Sequence, residues 1–386
     1  MNLPKPSVLV AAALAFGLLM FGLLVPPWVL PYHVRSNAYG PAAGSMGVYN
    51  DVTKPAAPLQ PEVDPIPPMG GEPLAGEVLT NVQVLGDLTA SEFNRTMDAI
   101  TQWVAPEEGC GYCHGGDDLN FVTDNRRKSI AREMLRMTRT INANWTNHVG
   151  AQGVTCFTCH QGQNIPRERW YLDTPIVPPR GGITGQPRAW DTDAKTIRQF
   201  FPNRPQRMFM LQGLPITGQV QENEALVDGE NPYGHNLDYA EQVYIAMMQM
   251  SEGLGVNCTY CHQSRALRDW AQSPPTRLRG YSGLRMTTAL NQHVFSRLGP
   301  LTNPMHLGKA GDPPKITCKS CHNGRQQPAG GMLAGYYAGL IGPLPSGPGN
   351  PVAAANPDIP LLARTPRVGV PASVTEPPFR PIWEPD

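Results

Sequence analysis

Cys110-Gly-Tyr-Cys113-His114, Cys156-Phe-Thr-Cys159-His160, Cys258-Thr-Tyr-Cys261-His262 and Cys318-Lys-Ser-Cys321-His322 account for all 8 cysteines of this 386-residue chain. Each is a pair of thiols separated by two residues, with an imidazole directly after. The chain has 9 His, so a His follows a given Cys pair by chance about once in forty, and four in succession on the order of once in a million. Two cysteines at this spacing on one turn match the two vinyl groups of a porphyrin, and the next His reaches the iron. Zinc ribbons and redox dithiols also use Cys-x-x-Cys, but neither needs a His after every pair. The pattern implies four covalently bound haem c groups. Their thioethers would be formed by Cys110, Cys113, Cys156, Cys159, Cys258, Cys261, Cys318 and Cys321, and the first axial ligands would be His114, His160, His262 and His322. It leaves no cysteine for an ordinary disulfide.

The second axial position separates carriers from catalysts. A Met or a second His closes the iron and restricts it to electron transfer, whereas an open position binds small ligands. Met97 lies upstream of Cys110, Met134 upstream of Cys156 and Met247 upstream of Cys258, each in a stretch of good helix formers without internal Pro. Met137, Met248 and Met250 are rivals on spacing, and any single Met also suits core packing. Among the remaining imidazoles, His148, in Asn144-Trp-Thr-Asn-His148-Val, is the best candidate for a second His ligand. His293 and Met286 occupy the corresponding region further along, while His33, His235 and His306 fall in Pro-containing loops that suit surface or hydrogen-bonding roles.

Beyond the motifs, the chain reads as doubled. A Met-bearing helical stretch over 91–104 precedes the first motif and one over 238–253 precedes the third. Ile130-Ala-Arg-Glu-Met-Leu-Arg-Met-Thr138 precedes the second motif and Leu284-Arg-Met-Thr287 the fourth, with Leu-Arg-Met-Thr shared. The expected organisation is an amino-terminal membrane anchor or signal (1–30), a Pro-rich tether (31–76), a first dihaem half (77–170), a connecting segment (171–234), a second dihaem half (235–330) and a Pro/Gly-rich tail (331–386). Few segments alternate with period two, and 42 Pro with 39 Gly imply much irregular backbone. The fold class expected is therefore mainly α with long irregular loops: a multihaem cytochrome c of two internally related halves, preceded by a transmembrane helix.

From Val8 to Val25 the chain is apolar and uncharged, about the length that spans a bilayer, and Pro26 and Pro27 end it. Lys5 before it favours a cytoplasmic amino end and export of the remainder. The run is longer than a usual signal-peptide core and no convincing cleavage site follows, which favours an uncleaved anchor over a signal. No Cys precedes Cys110, so a lipidated amino-terminal Cys is excluded. The formal net charge of +0 sets nucleic-acid binding aside. Local charge remains: Glu107, Glu108, Asp117 and Asp118 flank the first motif and suit either a solvated loop or a docking patch for a basic donor. Arg126, Arg127, Lys128, Arg132, Arg136 and Arg139 suit haem propionates or plain surface exposure.

Val84-Leu-Gly-Asp-Leu-Thr89, Glu92-Phe-x-Arg-x-Met97, Met134-x-x-Met-Thr-Arg, Asn144-Trp-Thr-x-His148-Val and Gly153-Val-Thr-Cys-x-Thr-Cys-His160 resemble the tetrahaem cytochrome subunit of photosynthetic reaction centres in purple bacteria. The resemblance covers about residues 78–330. It implies axial pairs Met97/His114, Met134/His160 and Met247/His262, with His148 reaching across to the fourth haem opposite His322. It further implies that the protein is no enzyme but an electron carrier on the periplasmic face of the inner (photosynthetic) membrane. There it would be reduced by a soluble periplasmic carrier (a cytochrome, an iron-sulfur protein or a copper protein) and would reduce the photo-oxidised bacteriochlorophyll special pair held by the reaction-centre membrane subunits. A respiratory multihaem carrier or quinol-oxidising cytochrome is the alternative from another class. It calls for an open or Lys-ligated haem, and no Cys-x-x-Cys-Lys occurs.

Overall fold

The computed structural model describes residues 6–24, 34–39, 46–51, 58–65, 70–115, 119–173, 203–216, 237–328 and 334–341. They fall into two compact units, one within residues 1–56 and one within 57–386. In the first unit α1 (Pro6–Leu24, 19 residues) has a mean hydropathy of 2.5 and carries its apolar side chains outward. At about 1.5 Å per residue it approaches the ~30 Å of a bilayer's hydrocarbon layer. Strands β1 (Val34–Tyr39) and β2 (Met46–Asp51) then pair antiparallel, from Val34 opposite Asp51 to Tyr39 opposite Met46. Both strands lie within the stretch 31–76 expected as a Pro-rich tether. Val34, Tyr39, Val48 and Tyr49 favour strands.

The second unit is built on four long helices: α2 (Ala90–Val104), α3 (Arg126–Asn144), α5 (Leu237–Leu254) and α6 (Thr276–His293). Two short ones, α4 (Cys156–His160) and α7 (Cys318–His322), carry the second and fourth motifs. Helix α2 starts where the Thr89 hydroxyl accepts from the Glu92 N–H, and α3 where the Asn125 side chain accepts from the Lys128 N–H. Pro275 stands at the N-cap of α6.

One core joins Leu85, Leu88, Ala99, Trp103, Leu135 and Phe157 with Tyr337 and Leu340. The last two come from the segment expected to be a loose tail, and residues 60–63 of the expected tether close over the same core. Trp103 Nε1 donates to Pro61 O (2.8 Å), Val63 N donates to Tyr337 Oη (3.2 Å), and Arg95 donates to both Val63 O (3.1 Å) and Tyr336 O (2.6 Å). Richness in Pro and Gly rules out regular helix. It does not rule out burial of the aromatic residues between the prolines.

A second core lies between the ends of α3 and α6, through Ile141, Trp145, Met286, Ala289, Leu290 and Ile316. A third joins Met208 and Phe209 to Tyr239, Val243 and Ala246 of α5. Met208 and Phe209 belong to a π-helical turn, Gln206–Leu211, inside the segment expected only to connect the halves. Its unpaired carbonyls are satisfied by α6: Thr288 donates to Phe209 O (2.9 Å), Asn291 to Met210 O (2.8 Å) and Gln292 to Leu211 O (2.6 Å).

The doubling is physical as well as sequential. Aligning Leu135-Arg-Met-Thr138 on Leu284-Arg-Met-Thr287 places Asn142 on Asn291. The Asn142 side chain brackets Val154, donating to its carbonyl (2.9 Å) and accepting from its N–H (2.7 Å). Asn291 brackets Ile316 in the same way, at 2.9 Å and 2.9 Å. Val154 and Ile316 both stand two residues before the first cysteine of a motif. In addition, Gly162 N donates to Trp103 O (2.9 Å) after the second motif, and Gly324 N to Gly253 O (2.8 Å) after the fourth.

Candidate haem-binding site

The imidazoles are oriented by backbone carbonyls. Nδ1 of His160 lies 2.8 Å from Gln163 O, that of His262 2.8 Å from Leu267 O, that of His322 2.9 Å from Arg325 O and that of His148 2.9 Å from Arg279 O. A ring nitrogen facing a carbonyl must carry the proton, so each Nε2 is left with a free lone pair, the form that ligates a metal. Burial pushes all four pKa values down, that of His148 to about 4 with the neighbouring His322 and Arg279 charges adding to the effect, so each ring stays neutral. His114 differs: its Nδ1 is buried and has no hydrogen-bond partner among the described residues.

One cavity of about 1630 Å³ is lined by Cys156, Cys159 and His160, by Cys258, Cys261 and His262, and by Cys318, Cys321 and His322, together with Met134, Met247 and His148. It exceeds the ~300–1,000 Å³ typical of a single small-molecule site, so more than one flat macrocycle fits. The rival ligands Met137, Met248, Met250 and Met286 also reach its wall, as does His306, whereas the rival His293 does not. Met286 is also buried in the second core, and Met248 is half exposed. The first ligand set is not assembled in the same way. Met97 packs against the first core, and Cys110 lines a separate cleft of about 980 Å³ beside Glu108. His33 and His235 lie outside the described residues.

The rings of His148 and His322 lie edge to face, with centroids 6.0 Å apart and planes at 65°. Two imidazoles on opposite faces of one metal need about this separation, given metal–nitrogen bonds of about 2 Å and the radius of each ring. The thiols also sit in apolar surroundings. Burial raises Cys156 to about 12 and Cys261 and Cys318 to about 11, keeping them neutral. Lone-pair imidazoles, neutral thiols and a large apolar chamber fit haem c.

Two cysteines depart from the expectation that none forms a bridge: Cys159 and Cys321 are joined as a disulfide, with Cα atoms 4.4 Å apart. The reason is that α4 and α7 abut, so that the second cysteines of the second and fourth motifs meet within bridging range. A sulfur in that bond carries no thioether, so haem attachment at these two positions requires the bond to be open. The basic stretch before the second motif departs as well. Lys128 is buried and donates to Asn120 O (2.6 Å) and Thr123 O (2.8 Å). Arg132 pairs with Asp124 (2.8 Å), Arg136 with Glu133 (2.5 Å), and buried Arg139 holds Asp87 by two nitrogens at 3.1 Å. These four are structural, while Arg126 and Arg127 line the cavity. Glu107 and Glu108 are exposed; Asp117 and Asp118 lie outside the described residues.

The model of one family, described as the photosynthetic reaction centre cytochrome C subunit, matches residues 35–338, from β1 to the tyrosine clasp. The chain belongs to this family. It is 39% identical over 274 residues to the photosynthetic reaction center cytochrome c subunit of Rubrivivax gelatinosus, covering 69% of this chain and 72% of that one. It is also 39% identical to those of Roseobacter denitrificans (69% and 73% covered) and Thermochromatium tepidum (69% and 65%). As a reaction-centre cytochrome, the chain is an electron-transfer component that holds haem c covalently and associates with a membrane-bound photochemical complex.

Proposed function

We propose that this chain holds four haem c groups and passes electrons from a soluble periplasmic carrier to the photo-oxidised bacteriochlorophyll pair of the reaction centre. The observation that carries the reading is the single apolar cavity into which three Cys-x-x-Cys-His motifs, Met134, Met247 and His148 all project. When bound, the haems supply a one-electron iron couple at each site.

The chain's own residues do the rest. The eight motif cysteines would hold the haems covalently. His114, His160, His262 and His322 would each supply one iron ligand, and Met97, Met134, Met247 and His148 the second. A closed site takes no exogenous ligand, which makes the protein a carrier rather than an enzyme. Met favours the reduced iron and imidazole the oxidised one, so the His148/His322 site should have a lower potential than the Met-closed sites. Helix α1 stays attached as the anchor and leaves the haem-bearing unit on the periplasmic face. The soluble donor is a small cytochrome, an iron-sulfur protein or a copper protein, and Glu107 and Glu108, with Asp117 and Asp118, favour a basic docking surface on it.

Flash absorption spectroscopy on native membranes, following the haem α band after one actinic flash, tests the reading. Rapid haem oxidation that matches re-reduction of the pigment pair is expected. Pre-reduced haems that stay silent while the pigment is demonstrably photo-oxidised would overturn it.

A further inference from the structure

In the repeat register, α3 and α6 differ at the position that matters most for ligation. With Leu135-Arg-Met-Thr138 laid on Leu284-Arg-Met-Thr287, Met134 falls on Gly283. The equivalence is carried by the backbone too: Thr138 Oγ1 donates to Met134 O at 2.9 Å, and Thr287 Oγ1 to Gly283 O at 2.9 Å. Where the first half places its closing thioether, the second half has no side chain at all.

The space is taken by His148. A Cβ built on Gly283 would land on His148 Cε1, 2.7 Å from Nδ1 and 2.8 Å from Nε2, closer than any real side chain allows. All three of the nearest atoms belong to the His148 ring. Gly283 lies inside α6 and is not among the glycines with positive φ, and glycine within a helix is costlier than alanine. One helical turn earlier, Arg279 O is the acceptor that fixes the His148 ring (2.9 Å). The helix thus admits the ring through the gap at Gly283 and orients it from the carbonyl of Arg279.

We infer that Gly283 is the positioning residue that decides which ligand closes the fourth haem: its missing side chain lets His148 cross from the first half, where an α6 side chain would exclude it. This rests on the ligand set proposed above, but not on the photochemical role. The site would then owe its lower potential to a glycine that never touches the iron.

The test is the full-length holoprotein with Gly283→Ala, with Gly280→Ala as a control on the same helix, where a Cβ meets nothing nearer than Cys261 Sγ at 3.8 Å. The readouts are the low-spin bis-imidazole signal in electron paramagnetic resonance and the lowest-potential component of a redox titration. Gly283→Ala should lose both while Gly280→Ala keeps both, and His148→Ala should behave as Gly283→Ala does. If His148→Ala loses the signal but Gly283→Ala keeps it, the inference on Gly283 is wrong. If His148→Ala also keeps it, the ligand set itself fails. Should Gly283→Ala yield no holoprotein, the double variant with His148→Ala decides. Restored haem content supports a clash with the ring, because removing the ring vacates the space; haem content that stays lost overturns it.

Discussion

The second and fourth motifs are held to their neighbouring helices by the same backbone bond and by opposite side-chain chemistry. After the second motif Gly162 donates to Trp103 O, and the motif residue Phe157 packs with the Trp103 ring in a core closed by Tyr337, whose ring meets Trp103 edge-on at 4.7 Å. After the fourth motif the bond runs from Gly324 to Gly253 O, and the position of Phe157 is taken by Lys319. This lysine reaches outward to Glu252 (2.8 Å) and Glu168 (3.5 Å), while the position of Trp103 is taken by Gly253. The first half docks its motif by filling space. The second docks it by close approach of backbones, with ions on the rim. A repeat can therefore preserve where a cofactor is held while exchanging the forces that hold it.

Trp103→Ala puts this contrast under the greatest stress. Removing a fully buried Trp costs about 3–5 kcal/mol, and it also strands Pro61 O, so the thermal midpoint of the holoprotein should fall further than for Gly253→Ala, Asn291→Ala or Lys319→Met. Next is Gly253→Ala. A Cβ there would sit 3.0 Å from Lys319 N and 3.4 Å from Cys318 Cβ, and overpacking of this kind costs roughly 1–3 kcal/mol. Its signature should be a spectral change at the fourth haem, with the other haems unaltered in a redox titration. A shift spread evenly over all haems would argue against local backbone contact as the anchor.

The two asparagine clamps carry the contrast into the backbone. Each asparagine makes three bonds, Asn291 to Met210 O and to both backbone groups of Ile316, Asn142 to Leu340 O and to both backbone groups of Val154, but Asn291 is completely buried and Asn142 only partly. Each buried backbone group left unpaired costs about 1–3 kcal/mol, so Asn291→Ala should lower the melting midpoint more than Asn142→Ala. Equal losses would mean that the halves are stapled alike.

The smallest effect belongs to Lys319. Its hydrogen bond to Glu252, with Glu168 adding to it, raises its pKa above the ordinary lysine value. The stability it contributes is therefore fully present below that ordinary value and is lost as pH climbs through the raised one. Since the side chain is about one-third exposed, the contribution is at most about 1 kcal/mol and is screened by salt. Lys319→Met should lower the melting midpoint slightly at low ionic strength and hardly at all at high salt. An effect that survives high salt would point to burial instead of charge.

The motifs and the paired helices that precede them were legible because Cys-x-x-Cys-His spacing and helix periodicity leave marks within a few residues of sequence. The expected stretches 91–104 and 238–253 fall on α2 and α5 almost end to end, and the shared Leu-Arg-Met-Thr fixed the register that relates α3 to α6. What stayed hidden depends on contacts between distant residues. Pro61 and Tyr337 lie in segments whose composition resembles tether and tail, and only the Trp103 and Arg95 side chains reveal that Tyr337 belongs to the core and Pro61 lies against it. The π-helical turn at 206–211 reads as linker because the carbonyls it leaves open are answered from α6, some eighty residues away. Nor does any local signal say that Asp87, rather than a cofactor, claims Arg139.

The clasp between Val63 and Tyr337 also has a consequence in time. A polypeptide emerges amino end first, and Tyr337 and Leu340 follow the fourth motif in the chain. The core around Trp103 therefore remains open on one side until all eight motif cysteines have been delivered. Bonds between such distant partners are also the slowest to close by diffusion. The order of synthesis thus keeps the second motif, whose Phe157 belongs to that core, accessible until the last attachment site exists, and the final lock on the first half is supplied by the end of the second.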